Sequence, residues 1–278
     1  MNIVAFDEGP LTEILNAAGP PPREAQFELG RATWGFGGVH GGLALAMLVR
    51  AMQAKAPGQS LRRVSGQFRR PLRGPFAIET HEDHAGNSVR WLSGQIAQGA
   101  TSCVAATAIF ATPGAAHAQR LAAEMPAAPP PSACPIFTVP PEFVPFATRT
   151  EIRPVGDARP YARGARAELI AWVRLREDEL PPDEARTVVL LDALAPSYAA
   201  ILDTPVPIPT VTLSVTWSGA DGRRGETVTT ARSPWILLRA QTELASDDGW
   251  LHERIDAWTA EGAHLATADQ LRVVRQAR

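Results

Sequence analysis

Cysteine is scarce in this chain. Cys103 and Cys134 are the only two among 278 residues, with no Cys-x-x-Cys pair and no Cys/His spacing suited to zinc. A disulfide framework and a zinc module are therefore excluded, and a reducing compartment is expected. Cys103 stands in an alternating apolar segment and reads as a buried thiol. An excess of charge of one sign is also lacking. The formal net charge is -2, which argues against a nucleic-acid binder, since such a protein needs a basic face or stripe. Arg62, Arg63, Arg69, Arg70 and Arg73 do cluster, but in strand-like segments. A solvated strand face or contact with substrate phosphates would each account for them. The longest apolar stretch, around Leu43–Val49, is far too short to span a bilayer. Residues Met1–Pro10 have neither the basic region nor the apolar core of a secretory signal. A cytoplasmic protein without a membrane span is expected.

What is present is enough apolar material for a sizeable core: 45% apolar against 20% charged residues. It is arranged twice over. In the first half, a short strand in residues 25–34 leads through a glycine-dense turn, Trp34–Gly42, into a predicted helix over 41–54. That helix is apolar on nearly every side, the mark of a buried helix, and Pro57-Gly58 ends it. Four extended segments follow, at 61–70, 75–83, 88–98 and 101–111. Their short Gly- or Asn-containing connections imply antiparallel neighbours.

Residues 113–160 change character. They hold eleven of the 25 prolines, with Pro129-Pro130-Pro131 at the centre, and read as an extended linker crossing the surface. Beyond it the first pattern returns. A strand is expected at 167–177. A helix over 183–202 is opened by Pro181-Pro182-Asp183-Glu184, whose proline and acidic residues suit the positive end of a helix dipole. Strands then follow at 210–217, 235–244, 250–259 and 264–275. Strand, helix and four strands therefore occur twice, a repeat of about 110–120 residues. The fold class is α+β: two βαββββ repeats, residues 1–112 and 161–278, each a long helix wrapped by a curved antiparallel sheet, with 113–160 between them.

Three features bear on chemistry. Gly37 and Gly38 lie in a backbone turn just before a buried helix. Exposed N–H groups there, with the helix dipole behind them, form a site for a phosphate or a developing oxyanion; close helix–sheet packing explains the same glycines. No Gly-Lys-Ser/Thr follows, so this is not a phosphate loop of the Walker kind. His40 opens the same helix, where the dipole disfavours its charged form; an orienting or backbone-bonding role comes before that of a general base. Asp192 sits among Val188, Val189, Leu190, Leu191, Ala193 and Leu194. An ionised carboxylate in such company needs a partner. It is either a solvent-facing or interface-facing helix residue or a general base in a dry pocket.

The order of these motifs resembles that of the double-hotdog acyl-CoA thioesterases of the bacterial acyl-CoA thioesterase II type, over nearly the whole chain. In the first half the match is carried by Phe36-Gly37-Gly38, Arg70-Pro71-Leu72 and Gly86-Asn87-Ser88. In the second half the resemblance places the family's catalytic Asp on Asp192, its Thr on Thr210 in Pro209-Thr-Val-Thr212, and its Gln on Gln270 in Asp269-Gln-Leu-Arg272. Thr212 is the neighbouring alternative to Thr210. The His40-Gly41-Gly42 start is also similar to that of single-hotdog thioesterases, whose first helix carries an acid two turns on. Here Leu48, Val49 and Arg50 stand there instead, so the carboxylate must come from the second half.

The resemblance implies hydrolysis of a fatty or related acyl-CoA by water held between Asp192, Thr210 and Gln270. Gly37 and Gly38, with His40 beside them, would serve the oxyanion or substrate across the two repeats. No metal and no cofactor are implied, the partner is the acyl-CoA substrate, and a homodimer is expected. The alternative is a non-catalytic acyl-CoA or lipid binder of the same fold. A hydratase is disfavoured, because no Asp lies between Trp34 and Gly42 to pair with His40.

Overall fold

A computed structural model describes residues 2–19, 25–112, 121–219 and 232–275. The chain divides into two compact units, the first made of residues 1–117, 139–149 and 182–189, the second of residues 118–138, 150–181 and 190–278.

In the first unit, β1 (Asn2–Phe6) pairs in parallel with β2 (Ala25–Leu29), and α1 (Leu11–Ala17) lies between them in sequence. β2 lies within the strand expected in residues 25–34, whereas β1 and α1 have no counterpart among the expected elements. Leu11, Ile14 and Leu15 of α1 are buried. The helix α2 (Gly41–Gln53) buries every residue from Gly42 to Val49, and Ala51 and Met52 as well. Such burial on all sides is what its nearly uninterrupted apolar sequence dictates. Around it run β3 (Ser60–Phe68), β4 (Ala77–Ala85), β5 (Val89–Gln98) and β6 (Thr101–Ala111), in the antiparallel order β4-β5-β6-β3. Helix and sheet approach closely. A Cβ on Gly66 would stand 2.9 Å from both Leu45 methyl carbons, so a larger residue there would displace the Leu45 side chain.

The second unit contains β7 (Thr150–Pro154), β8 (Glu168–Leu175), β9 (Thr210–Trp217), β10 (Ile236–Ala245), β11 (Trp250–Thr259) and β12 (His264–Val273). All neighbours are antiparallel, in the order β9-β12-β11-β10-β8-β7. The run β10-β11-β12-β9 repeats the β4-β5-β6-β3 order of the first unit.

The helix α3 (Glu184–Leu191) is much shorter than the expected 183–202. It starts as read: Asp183 accepts the Arg186 amide at 3.0 Å, capping the first turn. It stops because Pro196 has no amide to give and disfavours helical geometry at Ala195. Asp192 therefore occupies a turn, and a 3-10 turn over Ser197–Ile201 replaces the last part of the expected helix.

The proline-rich segment also does more than cross a surface. Trp172, Leu237 and Trp258 stand in one cross-strand row of the second unit's sheet and are buried with Cys134 against Ala123, Met125 and Ala128. The indole N–H of Trp172 donates to the Pro129 carbonyl at 2.8 Å, and that of Trp258 to the Ala123 carbonyl at 3.0 Å. Prolines suit this task, for they leave few backbone donors unpaired yet still offer carbonyl acceptors. The segment called a linker further contains β7, which pairs with β8.

Candidate active site

The second unit brings Asp192, Thr210 and Gln270 together. Gln270 is fully buried on β12 and donates through Nε2 to Asp192 Oδ1 at 3.0 Å. Thr210 Oγ1 donates to the same oxygen at 3.5 Å, a long bond. The orientation of the Gln270 amide follows from chemistry: an ionised carboxylate only accepts, so the NH2 side must face it. The amide oxygen, Gln270 Oε1, is then left buried with no hydrogen-bond partner among the described residues.

A β-bulge puts Thr210, and not Thr212, on the face of Gln270. On the β9–β12 ladder Leu213 is paired with Gln270 and Thr212 with Leu271, but Arg272 is paired with Thr210, so that Val211 is the extra residue. Without it, regular alternation would turn Thr210 away from the Gln270 face. With it, Thr210 joins Gln270 and Arg272 on one face, while Thr212 shares the opposite face with the partly exposed Leu271.

Two buried charged residues stand behind the trio, and the sequence reading missed both. Arg272 Nη1 donates to Thr210 Oγ1 at 2.8 Å, and its Nε donates to Glu253 Oε2 at 2.7 Å. Glu253, opposite Gln270 on β11, is 1% exposed and also accepts the Ser197 backbone amide. The Ser197 hydroxyl bonds Thr242 of β10 at 2.8 Å. The chain that follows Asp192 is thus tied down to two strands. A signal for these residues did exist. Ala266, Ala268, Gln270 and Arg272 form one alternating face, as do Leu251, Glu253, Ile255 and Ala257, and a polar residue that continues an apolar stripe is a buried polar residue.

The other expected site residues belong to the first unit. His40 caps α2, its Nδ1 accepting the Leu43 amide at 3.3 Å, and its ring stacks on Phe146 with centroids 4.1 Å apart. Gly37 has φ +74°, a left-handed conformation that favours glycine, and its carbonyl accepts from Arg73 Nε. Gly38 packs so near the Leu72 backbone that a Cβ would stand 2.9 Å from the Leu72 carbonyl oxygen. A polar groove of about 560 Å³ on this unit's sheet is lined by Gln67, Arg69, Glu79, His81 and Gln95 among others, and contains none of the trio.

On the reverse face of the second unit's sheet lies another polar cluster. Asp256 accepts from Thr267 Oγ1 at 2.6 Å and from Arg254 Nε at 3.0 Å, and bonds His264 Nε2 at 3.0 Å. Burial alone would raise its pKa. The hydrogen bonds from His264, Arg254 and Thr267 outweigh that and hold the carboxyl well below the usual carboxylate range. Among the described residues no group of three or more His, Cys, Asp or Glu is placed to hold a metal ion, and no helix is long and apolar enough to cross a membrane.

A buried helix set against an antiparallel sheet in the first unit, with the same strand order in the second, defines a hotdog-class protein. Among solved structures, a conserved protein of unknown function with a hot dog fold from Alicyclobacillus acidocaldarius superposes with a TM-score of 0.81 at 24% identity, covering 95% of this chain and 98% of that one. A candidate thioesterase II from Thermobifida fusca gives 0.74 at 25% identity, covering 90% and 92%. The acyl-CoA thioesterase II TesB2 from Mycobacterium marinum gives 0.61 at 20%, covering 85% and 89%. The family model for the acyl-CoA thioesterase C-terminal domain matches residues 122–274, and that for the N-terminal domain matches residues 31–111. The chain belongs to the acyl-CoA thioesterase family. Comparison with curated proteins gives no match.

Proposed function

We propose that this protein hydrolyses the thioester of a fatty or related acyl-CoA, with Asp192 as general base, Gln270 holding the attacking water and Thr210 holding the Asp192 carboxylate. Asp192 accepts a proton from the water as its oxygen attacks the acyl carbonyl carbon. The tetrahedral intermediate collapses, the C–S bond breaks, and the sulfur leaves with its electron pair. The proton held by Asp192 then passes to that sulfur, giving a carboxylic acid and free coenzyme A and restoring the carboxylate.

The observation that carries this reading is the buried, unpartnered Oε1 of Gln270 beside a carboxylate to which the same amide is bonded. An orphaned acceptor of this kind costs about 1–3 kcal/mol. A water donating one proton to Gln270 Oε1 and the other to Asp192 would satisfy it, and would be oriented for attack.

The test is a hydrolysis screen over acyl-CoA chain lengths with detection of free thiol, run on wild type and Asp192→Asn. Turnover in the variant is expected to fall by roughly 10²–10⁴ with unchanged thermal unfolding. Equal turnover in the two proteins refutes Asp192 as base. Acyl-CoA binding without hydrolysis by wild type at any length refutes the enzymatic reading altogether.

A further inference from the structure

We infer that Arg272 is a positioning residue for the hydrolysis, acting through Thr210 with Glu253 as its anchor; this rests on the assignment of Asp192, Thr210 and Gln270 above. A threonine hydroxyl has one proton and can accept as well as donate. Arg272 has no acceptor and donates to Thr210 Oγ1 at 2.8 Å. That bond occupies an acceptor position of the hydroxyl and leaves its single proton for Asp192, in the direction of the 3.5 Å contact. Without Arg272 the hydroxyl would be free to turn its proton elsewhere.

Glu253 completes the arrangement. One carboxylate oxygen takes Arg272 Nε at 2.7 Å, and the other takes the Ser197 amide just beyond the Asp192 turn. A single buried carboxylate thus fixes the strand that carries Gln270 and Arg272 relative to the segment that carries Asp192. Both side chains are almost wholly buried, at 1% and 6% exposure. A buried ion pair of this kind is seldom more stabilising than well-packed apolar residues of the same volume, so stability alone does not explain why charges stand here. The planar guanidinium does: its separate N–H groups reach Thr210 and Glu253 at once, which a lysine ammonium at the end of a flexible stem does not reproduce.

The experiment is a kinetic cycle. The double variant Glu253→Gln with Arg272→Met removes both charges together, so that neither is left buried alone. The expected result is a kcat lowered tenfold to a hundredfold, roughly what one charge-assisted hydrogen bond supplies, with KM within about twofold of wild type. In a Thr210→Val background the same pair of changes should lower kcat by less than about threefold, because the hydroxyl through which Arg272 acts is already gone. A folded double variant with wild-type kcat overturns the proposal, as does an undiminished loss in the Thr210→Val background. Should the double variant not fold, Arg272→Lys carries the test: a several-fold drop in kcat at unchanged KM is expected, and full kcat overturns the proposal. Asp192→Asn run in parallel separates the two claims. Wild-type turnover there removes the general base itself, whereas loss of turnover there with full kcat in the Arg272 variants removes only the positioning role.

Discussion

The two units set the same run of strands in the same order, yet their interiors differ in kind. In the first, α2 presents Leu43, Leu45, Met47 and Leu48, and the facing strands answer with Val64, Gly66, Val104, Ala106 and Ala108, all buried. Contact is so close that a Cβ at position 66 would push the Leu45 methyl groups aside. In the second, Asp192 stands in a turn, and the equivalent strands carry Gln270, Arg272 and Glu253 inward among Ala266, Ala268 and Ile255. The first interior is shaped by packing, the second by paired polar groups. Under the proposed function, the second copy of this strand plan is the reaction centre because it replaces dispersion contacts with hydrogen bonds of fixed direction.

The contrast is sharpened by changing one residue in each interior. Leu45→Ala in the first unit should cost about 2–5 kcal/mol of stability, read from denaturant or thermal unfolding, since it opens a cavity against Gly66 in a fully buried helix. Gln270→Leu in the second should do the reverse. Its volume is nearly conserved, so the unfolding midpoint should shift little, whereas kcat should fall roughly 10- to 150-fold, the kinetic equivalent of a hydrogen bond to a charged group worth about 1.5–3 kcal/mol. If Gln270→Leu unfolds the protein while leaving the rate of the folded fraction intact, the distinction between the interiors collapses.

A smaller effect is expected on the reverse face of the second unit. The Asp256 carboxyl is held below its usual range, so it binds protons more weakly folded than unfolded. Its contribution to stability is present above the unfolded pKa near 4 and is lost as pH falls through the lower folded value. Asp256→Asn should therefore cost about 1–2 kcal/mol at neutral pH and flatten the loss of stability below about pH 4. Unfolding measured between pH 7 and pH 2.5 reads both quantities. An acid limb as steep in the variant as in wild type would remove Asp256 from this account.

How much of this could be read in the sequence varies with the range of the interactions involved. Local patterns sufficed for α2, whose apolar surface on every side demands burial, and for the long strands with their Gly and Asn turns. They also drew attention to Asp192, a lone carboxylate among Val188–Leu194, but left open whether it faces solvent or a dry pocket, and only the family resemblance grouped it with Thr210 and Gln270. They did not give the length of α3: apolar periodicity continues past Pro196, but the backbone cannot. Nor did they separate Thr210 from Thr212, because the bulge at Val211 exists only in the ladder with β12, and ladder register is a long-range property. Trp172 and Trp258 were unreadable for a similar reason. What covers them is a proline-rich segment whose contacts with the sheet are tertiary, not periodic. Arg272 and Glu253 lie between these cases, as their place on an alternating buried stripe is local while their pairing is not.

The most direct test combines binding and turnover in Asp192→Asn, with acyl-CoA affinity taken from titration and hydrolysis from single-turnover release of thiol. Affinity within a few-fold of wild type together with a chemical step slowed at least a hundredfold is the predicted result. A chemical step as fast as that of wild type would contradict the assignment of the reaction centre to the second unit's turn.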